Sequence, residues 1–197
     1  NYKKNPAEFV NHVNSYGLNK CLGISIKGEG KPFVPQPTDK NWSNISLPWM
    51  AFGYGVSITP LQTLTYYNAV ANNGVMVKPQ FVSEIKEWNK TIKKYDTEII
   101  NPKICSEETI LKLHAILENV VKKGTGSKLY SKDFSMAGKT GTAQVNYSKN
   151  GGSEKYYASS LVGYFPAKEP KYSCIVVVHK PNTANNNYYG ADVAGPV

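Results

Sequence analysis

Arginine is absent from this sequence, and all 23 basic residues are lysine. Arginine carries the planar fork that reads guanine edges and grips phosphate at two points, whereas lysine is a point charge. The lysines are also scattered, with only short pairs such as Lys3-Lys4, Lys93-Lys94 and Lys122-Lys123. Nucleic acid is therefore not an expected partner. A net charge of +9 still favours weak attraction to an anionic surface such as a membrane or cell wall. Cysteine is scarce: Cys21, Cys105 and Cys174 are odd in number and show no C-x-x-C spacing. Neither a disulfide framework nor a zinc site is expected, and the three read as buried free thiols acting as small apolar groups. His12, His114 and His179 have no ligand-like spacing, so no metal or other cofactor is expected. Long apolar runs are missing as well. No stretch approaches the roughly 18–20 residues of a membrane-spanning helix, and Asn1-Tyr2-Lys3-Lys4-Asn5 lacks the apolar segment of a signal peptide.

What is present suits a packed core. Of 197 residues, 41% are hydrophobic and 19% charged, the balance of one soluble globular domain or part of a larger one. Residues 5–16 read as a short helix ending before Gly17, and 28–48, rich in Gly and Pro, as a long loop flanked by Trp42 and Trp49 as anchors. Thr59-Pro60-Leu61-Gln62 is a capping box with Pro at the first helical position, and Asn73-Gly74 stops the helix it opens. Residues 75–98 alternate as strands around a turn at Trp88-Asn89-Lys90. A second helix starts at Ser106, shows one face of Ile110, Leu113, Leu117 and Val120, and ends at Lys122-Lys123-Gly124. Strands follow near 135–145, 156–165 and 172–180, with turns or loops at Gly151-Gly152 and Asn182–Asn187. Helices first and adjacent strands last predict an α/β (α+β) layer with antiparallel pairing. Tyr66-Tyr67 and Tyr156-Tyr157 read as packing residues, and Asp133 and Glu154 as exposed loop charge.

One octapeptide carries chemistry: Ala137-Gly138-Lys139-Thr140-Gly141-Thr142-Ala143-Gln144. On an edge strand, backbone N–H groups of alternate residues point outward, so those of Thr140 and Thr142 face one side. A peptide can dock there as an extra strand. Gly141 allows another backbone or a reacting acyl centre to come close. The N–H of Thr142 is a candidate oxyanion donor. The hydroxyls of Thr140 and Thr142 can hold a carboxylate, with the Lys139 ammonium adding positive potential. Lys-Thr-Gly is one of three motifs of serine acyltransferases acting on penicillin and D-Ala-D-Ala peptides.

With this motif in place, the chain resembles the C-terminal part of the transpeptidase domain of class B penicillin-binding proteins. Further stretches carry the likeness in order: Phe52-Gly53-Tyr54-Gly55 through Gln62, Val120-Val121-Lys122-Lys123-Gly124-Thr125-Gly126, Leu161 through Ala167, and Tyr189-Gly190 through Val197. The run from Leu61 to Ala69, with Val77-Lys78-Pro79, looks most like the division-specific (septal) transpeptidases. The resemblance implies a penicillin-binding protein/β-lactamase-like fold, an antiparallel sheet flanked by helices. It implies a cell-wall D,D-transpeptidase that works without metal or cofactor, outside the cytoplasmic membrane, tethered by an N-terminal helix. Its partners would be D-Ala-D-Ala stem peptides, β-lactam antibiotics and other division or cell-wall synthesis proteins. Lys139 would be catalytic through electrostatics, and Thr140, Gly141 and Thr142 would bind substrate.

The departures matter as much. The family also uses a Ser-x-x-Lys nucleophile and base and a Ser-x-Asn motif, both upstream of Lys-Thr-Gly. Ser83-Glu84-Ile85-Lys86 sits in the expected hairpin, where residues three apart point to opposite faces. Ser148-Lys149-Asn150 follows the Lys-Thr-Gly strand. Both are read as chance matches. The expectation is that residues 1–197 are the C-terminal part of a single domain, that the serine motifs precede Asn1, and that the last helix follows Val197. Alternatives are a D-Ala-D-Ala carboxypeptidase or β-lactam sensor, and a non-catalytic wall-binding or scaffold module on a degenerate fold.

Overall fold

A computed structural model of the chain describes residues 2, 4–145, 156–182 and 187–197. Two compact units interleave in sequence: Asn1–Tyr66 with Met76–Ile104, and Tyr67–Val75 with Cys105–Val197.

The first unit begins with helix α1 (Pro6–Ser15), opened by Pro at its first turn and closed before Gly17 at φ 76°. Val10 from α1 packs with Val34 and Met50, and Phe9, Val13, Trp42 and Val56 close around them. Trp42 thus anchors the loop, as expected. The loop is shorter than the sequence suggested, because helix α2 (Ser46–Ala51) begins inside it. Pro48 does not prevent this: it falls in the first turn, where no intrahelical N–H is required. Trp49 lies on α2, edge-on to Tyr54 at 5.4 Å. Helix α3 (Pro60–Ala71) has the predicted box: Gln62 N–H donates to Thr59 Oγ1 at 3.1 Å, and Thr59 N–H to Gln62 Oε1 at 2.9 Å.

Strand β1 (Met76–Val77) pairs with β4 (Ile99–Asn101), a partner the sequence did not suggest. Strands β2 (Glu84–Glu87) and β3 (Lys90–Lys94) form the expected hairpin. Its two-residue turn sets Trp88 at φ 47° and Asn89 at φ 66°, the left-handed pair that matches strand twist. Trp88 is 96% exposed, so it occupies a conformation unfavourable for a bulky residue with no burial to offset it.

In the second unit, Ser106 caps helix α4 (Glu107–Lys122) by accepting from the Thr109 N–H. The buried face is Ile110, Leu117 and Val121, while Leu113 and Val120 are only partly covered. Strands β5 (Ala137–Val145), β6 (Tyr156–Phe165) and β7 (Tyr172–His179) form an antiparallel sheet in that order. Helix α4 packs on β5, and a short helix α5 (Gly190–Val193) lies against β5 and β6. Buried in this unit are Ala69, Val70, Ala137, Leu161, Val162, Tyr164, Ala191 and Ala194 among others. The cysteine expectation needs correction. All three thiols are free, but Cys21 is exposed and Cys105 and Cys174 are half-buried. Cys21 and Cys105 lie outside the regular elements and Cys174 lies on the outer strand of the sheet, so no core encloses them. Partial burial still pushes the Cys174 thiol pKa up. The loop at Gly151-Gly152 and most of Asn182–Asn187 lie outside the described residues.

Two outcomes are expected. Trp88→Asn should raise stability by about 0.5–1 kcal/mol, because Asn tolerates the left-handed turn and no buried contact is lost; denaturant unfolding checks this. Tyr164 is fully buried with no partner for its hydroxyl among the described residues. Burial, then Glu118, pushes its pKa from 10.0 to about 12. The folded state therefore holds the phenol proton more tightly than the unfolded chain. That contribution is intact below pH 10 and is lost as pH rises through about 12. Tyr164→Phe should add about 1 kcal/mol at neutral pH, and the gap should widen across that alkaline window in pH-dependent melts.

Candidate functional site

The four candidate residues sit mid-strand on β5, paired across to β6 as Lys139↔Val162, Thr140↔Leu161, Gly141↔Ser160 and Thr142↔Ser159. Strand β5 is first in the sheet order, so among the described residues its outer edge has no strand partner. Glycine makes the β5–β6 seam tight. A Cβ on Gly138 would lie 2.7 Å from the Val162 carbonyl oxygen, and one on Gly163 would lie 2.6 Å from that of Ala137. Thr140 and Thr142, two residues apart, turn their N–H groups the same way.

Each side chain has a defined partner. The Lys139 ammonium is exposed and donates to the Thr140 carbonyl oxygen at 2.7 Å. In an antiparallel strand the C=O and N–H of one residue point together, so the cation lies on the side the Thr140 and Thr142 amides face. No carboxylate pairs with it among the described residues. Its two remaining N–H donors are free for an anion. The Thr140 hydroxyl is 2.8 Å from that of Thr125, just past α4. The Thr142 hydroxyl oxygen accepts from the Gly190 N–H at 3.0 Å. A hydroxyl has one proton and two lone pairs, so Thr142 keeps its proton for an incoming acceptor.

Gly141 does admit a close backbone, but it is this chain's own. A Cβ on Gly190 would lie 2.5 Å from the Gly141 carbonyl oxygen and 3.1 Å from its nitrogen, and would overlap the Ser160 carbonyl oxygen. A Cβ on Gly141 would lie 2.5 Å from Ser160 Oγ. The Ser159 hydroxyl donates to the Tyr188 carbonyl and Lys128 pairs with Asp192, which bind the α5 segment to its neighbours. Tyr157 stacks on Tyr188 with centroids 4.0 Å apart. Sequence reasoning missed Thr125 and Gly190 as parts of the site. Their only signal was membership in the two flanking glycine-containing stretches.

The chance matches stay apart from this edge. Ser83 is exposed just before β2, and Lys86 on β2 is paired with Glu84 at 2.6 Å, so its ammonium is not held for a serine. Ser148-Lys149-Asn150 and Glu154 lie outside the described residues. Asp133 is exposed, as expected of loop charge. His114 serves structure, with Nε2 2.7 Å from the Val70 carbonyl oxygen.

Comparison with known proteins agrees with this geometry. The family described as "Penicillin binding protein transpeptidase domain" matches residues 2–197. Stage V sporulation protein D of Bacillus subtilis is 32% identical over 94% of this chain and 28% of its own length. The peptidoglycan D,D-transpeptidase FtsI of Escherichia coli K12 is 29% identical over 95% of this chain and 29% of its own length. The chain thus spans less than a third of these relatives. Among solved structures, the transpeptidase domain of Burkholderia pseudomallei penicillin-binding protein 3 is 26% identical, with a TM-score of 0.75 over 97% of this chain and 54% of that one. Penicillin-binding protein 3 of Mycobacterium tuberculosis, solved with aztreonam, is 26% identical, with a TM-score of 0.73 over 93% of this chain and 42% of that one. The mixed helix and antiparallel-sheet fold expected from the sequence is the one observed.

Gly190→Ala should destabilise the protein by about 1–3 kcal/mol, as overpacking does. The expected signature is faster amide exchange in α5 and β5 together, since the added methyl meets backbone from both β5 and β6.

Proposed function

We propose, because this chain belongs to the penicillin-binding protein transpeptidase domain family, that it is the C-terminal part of a septal, class B peptidoglycan D,D-transpeptidase domain. The observation that carries this reading is the open edge of β5, with Lys139, Thr140, Gly141 and Thr142 along it and a free cation beside the strand amides. The names of the relatives, FtsI and Stage V sporulation protein D, support the division-type assignment.

The chemistry follows from the edge. A D-Ala-D-Ala stem peptide adds as an extended strand along β5, taking hydrogen bonds from outward amides. A serine supplied from outside these 197 residues attacks the penultimate D-Ala carbonyl and releases the terminal D-Ala. The developing oxyanion accepts from the Thr142 N–H, a donor already fixed in place by the sheet. The hydroxyls of Thr140 and Thr142 hold the substrate carboxylate, and Lys139 supplies positive potential and orders the proton network. The acyl group then passes to the amine of a neighbouring stem peptide. β-Lactams mimic the donor and remain attached, a reading supported by the aztreonam complex of the related structure. No helix among the described residues is long and apolar enough to cross a membrane. The proposed setting is the outer face of the cytoplasmic membrane, with an N-terminal anchor elsewhere in the parent and other division proteins as partners.

Labelled penicillin, followed by donor peptide plus acceptor amine, tests this in the full-length protein. A covalent adduct and a cross-linked product are expected. Lys139→Ala should slow acylation by about 10²–10³-fold, the usual scale for losing one preorganised electrostatic contact. The isolated 197-residue chain should form no adduct. An adduct on that chain would move the nucleophile to Ser83 and sink the assignment of roles.

A further inference from the structure

Thr125 stands at a position the transpeptidase reading leaves without a role. It lies between Gly124 and Gly126, just after α4, and is exposed. Both glycines press on the helix end. A Cβ on Gly124 would lie 2.9 Å from Val120 Cα and its carbonyl oxygen, and one on Gly126 would lie 3.3 Å from that same oxygen. Their N–H groups both donate to the Val120 carbonyl, at 3.1 and 3.0 Å. Neither glycine has positive φ, so close approach rather than backbone conformation demands them here. The residue between them is therefore held at both flanks by the α4 backbone. From that fixed point the Thr125 hydroxyl meets the Thr140 hydroxyl on β5 at 2.8 Å.

A lone threonine hydroxyl on an exposed strand rotates among staggered positions, and its proton has no assigned direction. A pair of hydroxyls at 2.8 Å behaves differently. One proton is committed to the bond between them. The other O–H, on whichever oxygen accepts, is polarised by that bond and left to point outward. The Thr142 hydroxyl keeps its own proton as well, because its oxygen accepts from Gly190. A carboxylate accepts through two oxygens and is matched by two such donors with an ammonium nearby.

We infer that Thr125 is a positioning residue for the carboxylate end of the substrate, acting through the Thr140 hydroxyl. The inference rests on the transpeptidase reading of β5 and adds to it a third hydroxyl from a different element. Its function is recognition of a free C-terminal carboxylate, so its effect depends on the substrate carrying one.

The test uses the full-length protein, benzylpenicillin and its methyl ester, which removes the carboxylate charge. Thr125→Val should slow acylation by the acid about tenfold, the scale of one hydrogen bond to a charged group, and leave the ester rate within about twofold. Thr125→Ser should restore the preference for the acid, and Thr125→Ala should behave like the valine variant. In a Thr140→Val background, Thr125→Val should add no further loss, because the two act as a unit. Equal slowing of acid and ester would mark Thr125 as merely structural and overturn the inference. So would an unchanged acid rate, or full additivity with Thr140→Val. No adduct from the wild-type protein with either compound would remove the transpeptidase reading itself, and this inference with it.

Discussion

Strand β5 can satisfy its backbone on one side only. Pairing with β6 uses alternate N–H and C=O groups along nine residues, and the remaining groups face the other way. An unpaired edge of that length ordinarily invites aggregation, and natural sheets blunt such edges with charge or cover. Here Lys139 supplies charge beside the edge, and small residues keep it approachable. In the proposed reading the groups that make this edge a hazard are the ones that receive a peptide.

What stiffens the edge is close backbone packing at glycine. Gly190 rests on Gly141 and Ser160, and Gly124 and Gly126 rest on Val120. Each seat brings a hydroxyl contact with it: Thr142 with the Gly190 N–H, and Thr140 with Thr125. One such hydrogen bond is worth only about 1 kcal/mol net, too little to hold a loop alone. The geometry comes from backbones that have no room to shift, and the hydrogen bonds select which protons remain available. A methyl group at any of these seats would move a whole element rather than a side chain.

Much of this organisation was legible in the residues. The capping box at Thr59 and Gln62, the Ser106 cap, the Trp88-Asn89 turn and the three final strands are local signals, and local hydrogen bonds decide them. The misreadings share a cause. Helix α2 hides behind Pro48, which a first turn tolerates. Strand β4 exists because β1, more than twenty residues earlier, offers it an edge. The cysteines looked like core residues by type, yet burial depends on what the rest of the chain places over them.

The same division runs through the site. Lys139-Thr140-Gly141-Thr142 announced themselves as a motif, and strand periodicity alone put the amides of the two threonines on one side. Composition and spacing also determined the fold class and the family likeness, since these are carried by short contiguous stretches. Only the tertiary structure decided that β5 ends the sheet, that Gly190 is the backbone seated on Gly141, and that Thr125 reaches Thr140. Those contacts join residues 15 to 49 positions apart, and no local propensity encodes them. They arise when packing brings the end of α4 and the start of α5 onto the same strand, where glycine leaves room for both.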